Sequence, residues 1–243
     1  MNKILVFTPT YNESGNVTKL YHALKKLPYE LDILFCDDNS PDGTGKLIDE
    51  LVEHDSTVHV IHRPSKLGLG TAHKEAFQFA RSHGYEYLLT MDADFTHDPS
   101  YIPAMIEKRT LTGADIVIGS RYTSGGKMEG WNKIRLPFTY FWRSMIRYGL
   151  NMPYDCTGAF RLYAVSMLNP SLFQPLKSQG FAFCMESLYR FKKNGARIVE
   201  VPILARSRTE GKSKLSVKIM AEVAQQYFRL LGDRLFSRTT KIL

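Results

Sequence analysis

At 243 residues, 44% hydrophobic and 23% charged, the chain has the profile of one globular domain, with or without an appendage, able to bury a core without disulfides or a structural metal. Its three cysteines (Cys36, Cys156, Cys184) are odd in number and widely spaced, which excludes a disulfide framework and a CxxC metal pair and suits a reducing compartment. The net charge of +8 is uneven: residues 201–243 hold nine Lys/Arg against three Asp/Glu, a net +6, leaving +2 for residues 1–200.

Apolar runs alternate with helically spaced segments through the first half. Residues 4–8 read as a buried strand, and 15–26 as a helix with Val17, Leu20, Tyr21 and Leu24 on one face. A second strand at 31–37 leads through the turn Asn39-Ser40-Pro41-Asp42-Gly43 into a helix ending near Leu51. A third strand at 58–62 is followed by Gly68-Leu69-Gly70 and a helix to Ala80. The fourth and fifth strands, 85–92 and 116–120, flank another helix. Strand–helix alternation at this spacing predicts a mostly parallel, three-layer α/β sheet. Beyond residue 122, Ser124-Gly125-Gly126 reads as a flexible joint and 131–150 as a basic–aromatic segment split by Pro137 into two short helices. Residues 155–163 and 197–204 read as further strands, 183–193 as a helix, and 216–235 as an amphipathic tail helix. The expected organisation is a main domain over 1–215 and a helical tail over 216–243.

In such sheets ligands bind beyond the carboxyl ends of the strands. Polar residues follow four of the five strands there: Thr8 to Glu13, Asp37-Asp38-Asn39, Asp92-Ala93-Asp94 and Gly119-Ser120-Arg121-Tyr122. Two carboxylates as close as Asp92 and Asp94 repel unless a cation joins them, and hard divalent ions take oxygen ligands together with substrate phosphates. A Mg²⁺ or Mn²⁺ clamped between Asp94 and a nucleotide diphosphate is the expectation, against the plainer reading of a loop cap. Asp37-Asp38 suits a ribose hydroxyl or a base N–H, whereas Ser40 and Asp42 read equally well as local turn residues. Gly68-Leu69-Gly70 lacks the spacing of a phosphate loop and reads as a tight strand-to-helix turn. For Arg121 the alternatives are a phosphate ligand, which its two-pronged fork suits, and a salt bridge to a rim aspartate. For Arg161 and Arg208 the plain reading is ordinary surface charge. Glu186 reads as a ligand-orienting or a helix-surface carboxylate, and His97 as a structural hydrogen-bonding residue.

Pro9-Thr10-Tyr11-Asn12-Glu13, the Asp-Asp-x-Ser-Pro-Asp-Gly-Thr run at 37–44, Gly-Leu-Gly-x-Ala and Asp-Ala-Asp-x-x-His-x-Pro at 92–99 resemble the family-two inverting glycosyltransferases of GT-A fold. More narrowly, Gly119 to Tyr122, Thr157-Gly158-Ala159-Phe160-Arg161-Leu162-Tyr163 and Glu210-Gly211-Lys212-Ser213-Lys214 resemble the polyprenyl-phosphate (dolichyl-phosphate) mannosyltransferases, over about residues 4–216. The resemblance implies that Pro9, Tyr11, Glu13, Cys36 and Asp38 line the nucleoside. It implies that Asp92, Ala93 and Asp94 hold diphosphate, metal and sugar, with Thr96 as a further metal-side group. Arg121 and Arg135 would grip an acceptor phosphate, and Arg208 and Lys214 would close over the donor phosphates, with Asp94 and Arg121 closest to the chemistry. Metal and cations would stabilise the departing diphosphate, and an acceptor that is already an anion needs no strong general base, which agrees with a rim lacking an obvious histidine.

Residues 131–150 combine Trp131, Phe138, Tyr140, Phe141, Trp142 and Tyr148 with Lys133, Arg135, Arg143, Arg147 and no acid, an interfacial composition. No run of about 18 apolar residues is present and the amino-terminal apolar run is too short for a signal peptide. The expectation is therefore a cytoplasmic enzyme peripheral to a membrane, with a possible membrane-anchoring subunit. The activity expected is metal-dependent transfer of a hexose, mannose from GDP-mannose, to a polyprenyl phosphate. Glucose from UDP-glucose is the alternative donor, and a catalytically silent membrane-associated adaptor is the alternative of another class. A nucleic-acid partner rests on charge alone and is not expected.

Overall fold

Strand β1 (Ile4–Thr10) is buried on both faces, and this places it inside the sheet, covered on either side. Leu5 and Phe7 point into one hydrophobic cluster and Ile4 and Val6 into another. The computed structural model describes residues 3–131, 136–169, 172, 176, 178, 180, 182–206 and 217–236. After β1 come α1 (Val17–Lys25), β2 (Leu31–Asp37), α2 (Thr44–His54), β3 (Val58–His62), α3 (Leu69–Ser82), β4 (Tyr87–Thr90), α4 (Ile102–Thr112) and β5 (Ile116–Ser120). The second half adds β6 (Lys127–Glu129), α5 (Leu136–Gly149), β7 (Arg161–Ala164), α6 (Ala182–Lys193), β8 (Ile198–Pro202), β9 (Leu204–Arg206) and α7 (Val217–Phe236).

Seven strands form one sheet in the order β3-β2-β1-β4-β7-β5-β8. β7 alone runs against its neighbours; the other pairings are parallel. Residues of α1, α2 and α4 fill the cluster on one face, and residues of α3, α5, α6 and α7 fill the cluster on the other. The result is the expected three-layer α/β/α arrangement. Parallel register brings the carboxyl ends of β2, β1 and β4 to one edge: Thr10 pairs with Asp37, Phe7 with Thr90, and the Met91 N–H donates to the Phe7 carbonyl at 3.1 Å. Because β7 is antiparallel, it begins at that same edge, with Arg161 between Thr90 and Ile118.

Two expectations change, and one region gains a strand. The strand expected at 155–163 shrinks to its end, since Asp155 Oδ1 accepts the N–H groups of Thr157 and Gly158 at 3.3 Å and turns the chain before β7 can start. The joint at 124–126 leads into β6, which pairs in parallel with β9. Residues 136–149 form one helix in which Pro137 occupies the first turn, where its missing N–H breaks no helical bond.

Candidate active site

The β1–α1 loop is fastened by the loop after β2. The N–H groups of Asn12, Glu13 and Ser14 donate to Ser40 Oγ, Thr44 Oγ1 and Asp42 Oδ2 at 3.0, 2.9 and 3.1 Å. Ser40 and Asp42 are thus the fasteners that hold the Pro9–Glu13 loop. Asp37 is similarly engaged, accepting from Thr10 Oγ1 (3.1 Å) and from the N–H and Oγ of Ser40 (3.0 and 2.6 Å). Asp38 is buried and forms an ion pair with Arg63. Burial still outweighs that attraction and raises the Asp38 carboxyl above its usual range. Arg63 also donates to Thr71 Oγ1 at 2.6 Å and to the Gly68 carbonyl at 3.3 Å. It therefore ties Asp38 to the Gly-Leu-Gly turn, where Gly68 adopts φ +96°. Lys66 Nζ lies 4.2 Å from the centroid of the Tyr11 ring. An open pocket of about 350 Å³ flanks this end of the cleft, lined by Asp37, Asn39, Ser40, Lys46, His62 and Arg63 among others, and by neither Asp92 nor Asp94.

Cys36 is fully buried, and burial pushes its thiol up to about 12, so it lies beneath the surface as a neutral side chain. Pro9, Tyr11 and Glu13 are partly exposed on the same rim.

Asp92, Ala93 and Asp94 leave the end of β4 with Asp92 half-buried and Asp94 buried. Asp94 Oδ1 accepts the Thr96 N–H at 3.0 Å across Phe95, whose φ is +56°. His97 is buried, its ring stacked on Phe160 with centroids 5.2 Å apart and its Nδ1 3.9 Å from Asp92 Oδ2. Burial, reinforced by Arg121, pushes the imidazole down to about 4, so it is neutral at physiological pH. Among the described residues no group of three or more His, Cys, Asp or Glu side chains converges on one point. Two neighbouring carboxylates without a third fit a Mg²⁺-type ion whose shell a substrate diphosphate completes, and do not fit a closed protein cage.

Arg121, at the end of β5, is taken up by an aspartate that the sequence reading did not single out. Its Nε and Nη2 donate to Asp155 Oδ2 and Oδ1 at 2.8 and 2.7 Å, and Nη2 also donates to Thr157 Oγ1 at 2.7 Å. The salt-bridge alternative thus describes the structure, and the fork expected for a phosphate is occupied. Burial opposes the Asp155 charge, but Arg121 and the surrounding N–H groups hold its carboxyl down at about 2. Arg121 and Arg143 lie over the Tyr122 ring at 5.2 and 4.5 Å, and Tyr122 meets Tyr140 of α5 with centroids 6.2 Å apart. Arg121, Asp94 and Asp155 all act electrostatically on His97, and Arg161, Asp92, Asp155 and Arg121 on Cys184, so these groups share one cleft.

Arg161 is 1% exposed, which rules out surface charge. It donates to the carbonyls of Cys184 and Cys156 at 2.9 and 3.0 Å and has no carboxylate partner among the described residues. Glu186 is also buried; it accepts the Ser178 N–H at 2.9 Å and pairs with Arg190, a structural arrangement. Arg135, Arg208 and Lys214 lie outside the described residues. α5 and α7 pack together through Trp142 and Tyr227, centroids 5.8 Å apart, and leave Phe138, Phe141, Tyr148, Phe228 and Phe236 exposed. No helix among the described residues is long and apolar enough to cross a membrane.

The family profile described as Glycosyl transferase family 2 matches residues 5–171. An undecaprenyl-phosphate mannosyltransferase from Micrococcus luteus is 38% identical over 224 residues, 90% of this chain and 90% of that protein. A polyprenol monophosphomannose synthase from Mycolicibacterium smegmatis is 37% identical over 216 residues, 88% of this chain and 81% of that protein. Among solved structures, a mannosyltransferase from Pyrobaculum calidifontis in complex with GDP-Man and Mn²⁺ superposes with a TM-score of 0.64 at 13% identity, over 98% of this chain and 65% of that one.

Proposed function

The chain belongs to glycosyltransferase family 2 and is a glycosyltransferase, and we propose that it transfers mannose from GDP-mannose to a polyprenyl phosphate, with inversion, at the cytosolic face of a membrane. The observation that carries this reading is the continuity from the paired carboxylates to the aromatic helix. Asp92 and Asp94 leave β4, Arg121 leaves β5 at the same sheet edge, and Tyr122 joins Arg121 to the exposed aromatic helix α5 through Tyr140. A lipid phosphate needs that combination: a cation at the reacting end and an apolar, acid-free surface for the chain.

In this reading Pro9, Tyr11, Glu13 and Asp38 border the nucleoside, with Cys36 behind them. Asp92 and Asp94, with Thr96, hold a divalent ion that offsets the negative charge of the departing diphosphate. Arg208 and Lys214 supply further positive charge to the donor phosphates, and Arg135 joins Arg121 at the acceptor. The acceptor phosphate oxygen attacks the anomeric carbon and forms the new bond from the face opposite the leaving group. The bond from that carbon to the nucleotide breaks with its electron pair on the diphosphate. No proton has to be removed from the nucleophile, so the neutral, buried His97 is not required as a base.

The test is a donor screen with purified protein, Mg²⁺ or Mn²⁺, and a short polyprenyl phosphate, read as nucleotide release and lipid-linked sugar. GDP-mannose is expected to react and to stop reacting on chelation, and Asp94→Ala is expected to lower kcat by about 10²-fold or more. Preference for UDP-glucose would reassign the donor; no product from any nucleotide sugar would overturn the proposal.

A further inference from the structure

Arg121 enters the cleft with its geometry already decided. The two donors to Asp155 use the side-on edge of the guanidinium, and the contact to Thr157 uses the remaining hydrogen of Nη2. Among the described residues no group accepts from Nη1. The guanidinium also lies over the rings of Tyr122 and Trp131, at 5.2 and 5.5 Å from their centroids.

Asp155 cannot drift either. It is 1% exposed and accepts the main-chain N–H groups of Arg121, Thr157 and Gly158, each at 3.3 Å. Its own N–H donates to Glu200 Oε1 at 2.8 Å. Glu200 sits on β8 opposite Ile118 of β5, and Ser120 of β5 bonds its carboxylate. The clamp is therefore anchored to two strands of the central sheet.

We propose that Asp155, with Glu200 behind it, is a positioning residue for sugar transfer: it holds Arg121 so that Nη1 alone meets the acceptor phosphate. The proposal rests on the reading of Arg121 as an acceptor-phosphate ligand. Rotamer freedom that a loose arginine would lose on binding has already been lost on folding. The phosphate is met end-on by one nitrogen, and the Asp155 charge is committed to Arg121 and is not available as a base. Donor binding does not depend on this clamp, so weakening it raises the acceptor KM selectively.

The test is a double-mutant cycle on the full chain, with GDP-mannose and a short polyprenyl phosphate varied in turn. Asp155→Asn removes charge-assisted bonds and is expected to raise the acceptor KM about tenfold or more, with the donor KM within about twofold. Arg121→Ala is expected to raise the acceptor KM at least as much, and adding Asp155→Asn to it to change little further, because the aspartate acts through the arginine. Thr157→Val alters only an exposed hydroxyl and is expected to shift the acceptor KM in the same direction by about two- to fivefold; it carries the test if Asp155→Asn does not fold. Equal shifts in donor and acceptor KM, effects that multiply in the double variant, or an unmoved acceptor KM in Thr157→Val together with Asp155→Asn would overturn the positioning role. An acceptor KM untouched by Arg121→Ala would instead remove the acceptor assignment of Arg121 itself, and the positioning role with it.

Discussion

Gly119, the fourth residue of β5, links packing to chemistry through two rings. A Cβ placed there would lie 2.5 Å from Phe160 Cδ1 and 3.3 Å from Ile203 Cγ2. Carbon atoms in contact prefer about 3.5–4.0 Å, so in Gly119→Ala the Phe160 ring has to retreat by roughly 1 Å. Phe160 is completely buried, and its ring is stacked on His97, whose Nδ1 is 3.9 Å from Asp92 Oδ2. One methyl group therefore pushes, through Phe160 and His97, on the first carboxylate of the site. Overpacking of this kind costs about 1–3 kcal/mol. At about 2–4 °C per kcal/mol for a chain of this length, Tm is expected to fall by roughly 2–12 °C in a thermal scan. Misplacing a reacting group by about 1 Å costs on the order of 10²-fold, and because two rings share the shift, kcat is expected to fall by about 10- to 100-fold. Shortening the ring in Gly119→Ala/Phe160→Leu opens room for the methyl and is expected to recover part of the Tm loss. A Gly119→Ala protein with the Tm and kcat of the parent would refute the reasoning, because Phe160 would then not be pinned.

Two other features give measurable consequences. His73 is buried among Phe7, Phe77 and Phe183, neither ring nitrogen has a hydrogen-bond partner among the described residues, and burial pushes its pKa down to about 3. The unfolded chain takes up a proton here below about pH 6.5 and the folded chain does not, so stability is lost as pH falls from there toward about 3, at about 1.4 kcal/mol per unit. His73→Leu is expected to flatten that acid limb in urea titrations; an unchanged slope between about pH 6.5 and 4.5 would contradict it. Phe138 and Phe141 are 45% and 58% exposed on α5. Burying an apolar ring of this size stabilises by about 1.5–3 kcal/mol, so Phe138→Ser/Phe141→Ser is expected to weaken sedimentation with phosphatidylcholine–phosphatidylglycerol vesicles about tenfold or more. Partitioning equal to that of the parent would count against a membrane-facing α5.

The legible parts of this fold and site are those where one physical rule dominates. Strands buried on both faces announce themselves as apolar runs, and the rule that ligands gather beyond parallel strand ends puts Asp38, Asp92, Asp94 and Arg121 on one edge. What the sequence concealed are partners brought together across long separations. Asp155 is 34 residues from Arg121, and Glu200 is 45 from Asp155. No local pattern encodes that distance, so a buried clamp reads as three unrelated charges. Arg161 was open to misreading because arginine is rarely buried, although it begins an apolar strand, the signal that could have placed it inside. For Arg63 the available signal was position, since it follows β3 as Asp38 follows β2. The Pro137 expectation failed for a positional reason: proline breaks a helix interior and is accommodated in a first turn, and composition alone does not say where the helix starts.

The opening charge imbalance takes on a different shape once the pairs are known. Arg63 is matched by Asp38 and Arg121 by Asp155. A cation matched by a buried carboxylate projects little field beyond its own contacts, so these two arginines contribute short-range shape and donors rather than long-range attraction. Among the described residues Arg161 is held by carbonyls and a tyrosine hydroxyl alone, and it acts electrostatically on the same Cys184 as Asp92 and Asp155. A buried positive charge beneath that rim offsets part of the negative charge gathered there. Under the proposed function, long-range attraction of phosphate-bearing substrates falls to charge carried elsewhere, and the net +6 of residues 201–243 is where the sequence holds it. On the proposed reading, division of this kind would let the cleft keep acids for a cation and still draw in anions: the fixed arginines would set geometry, and the carboxyl-terminal lysines and arginines the encounter.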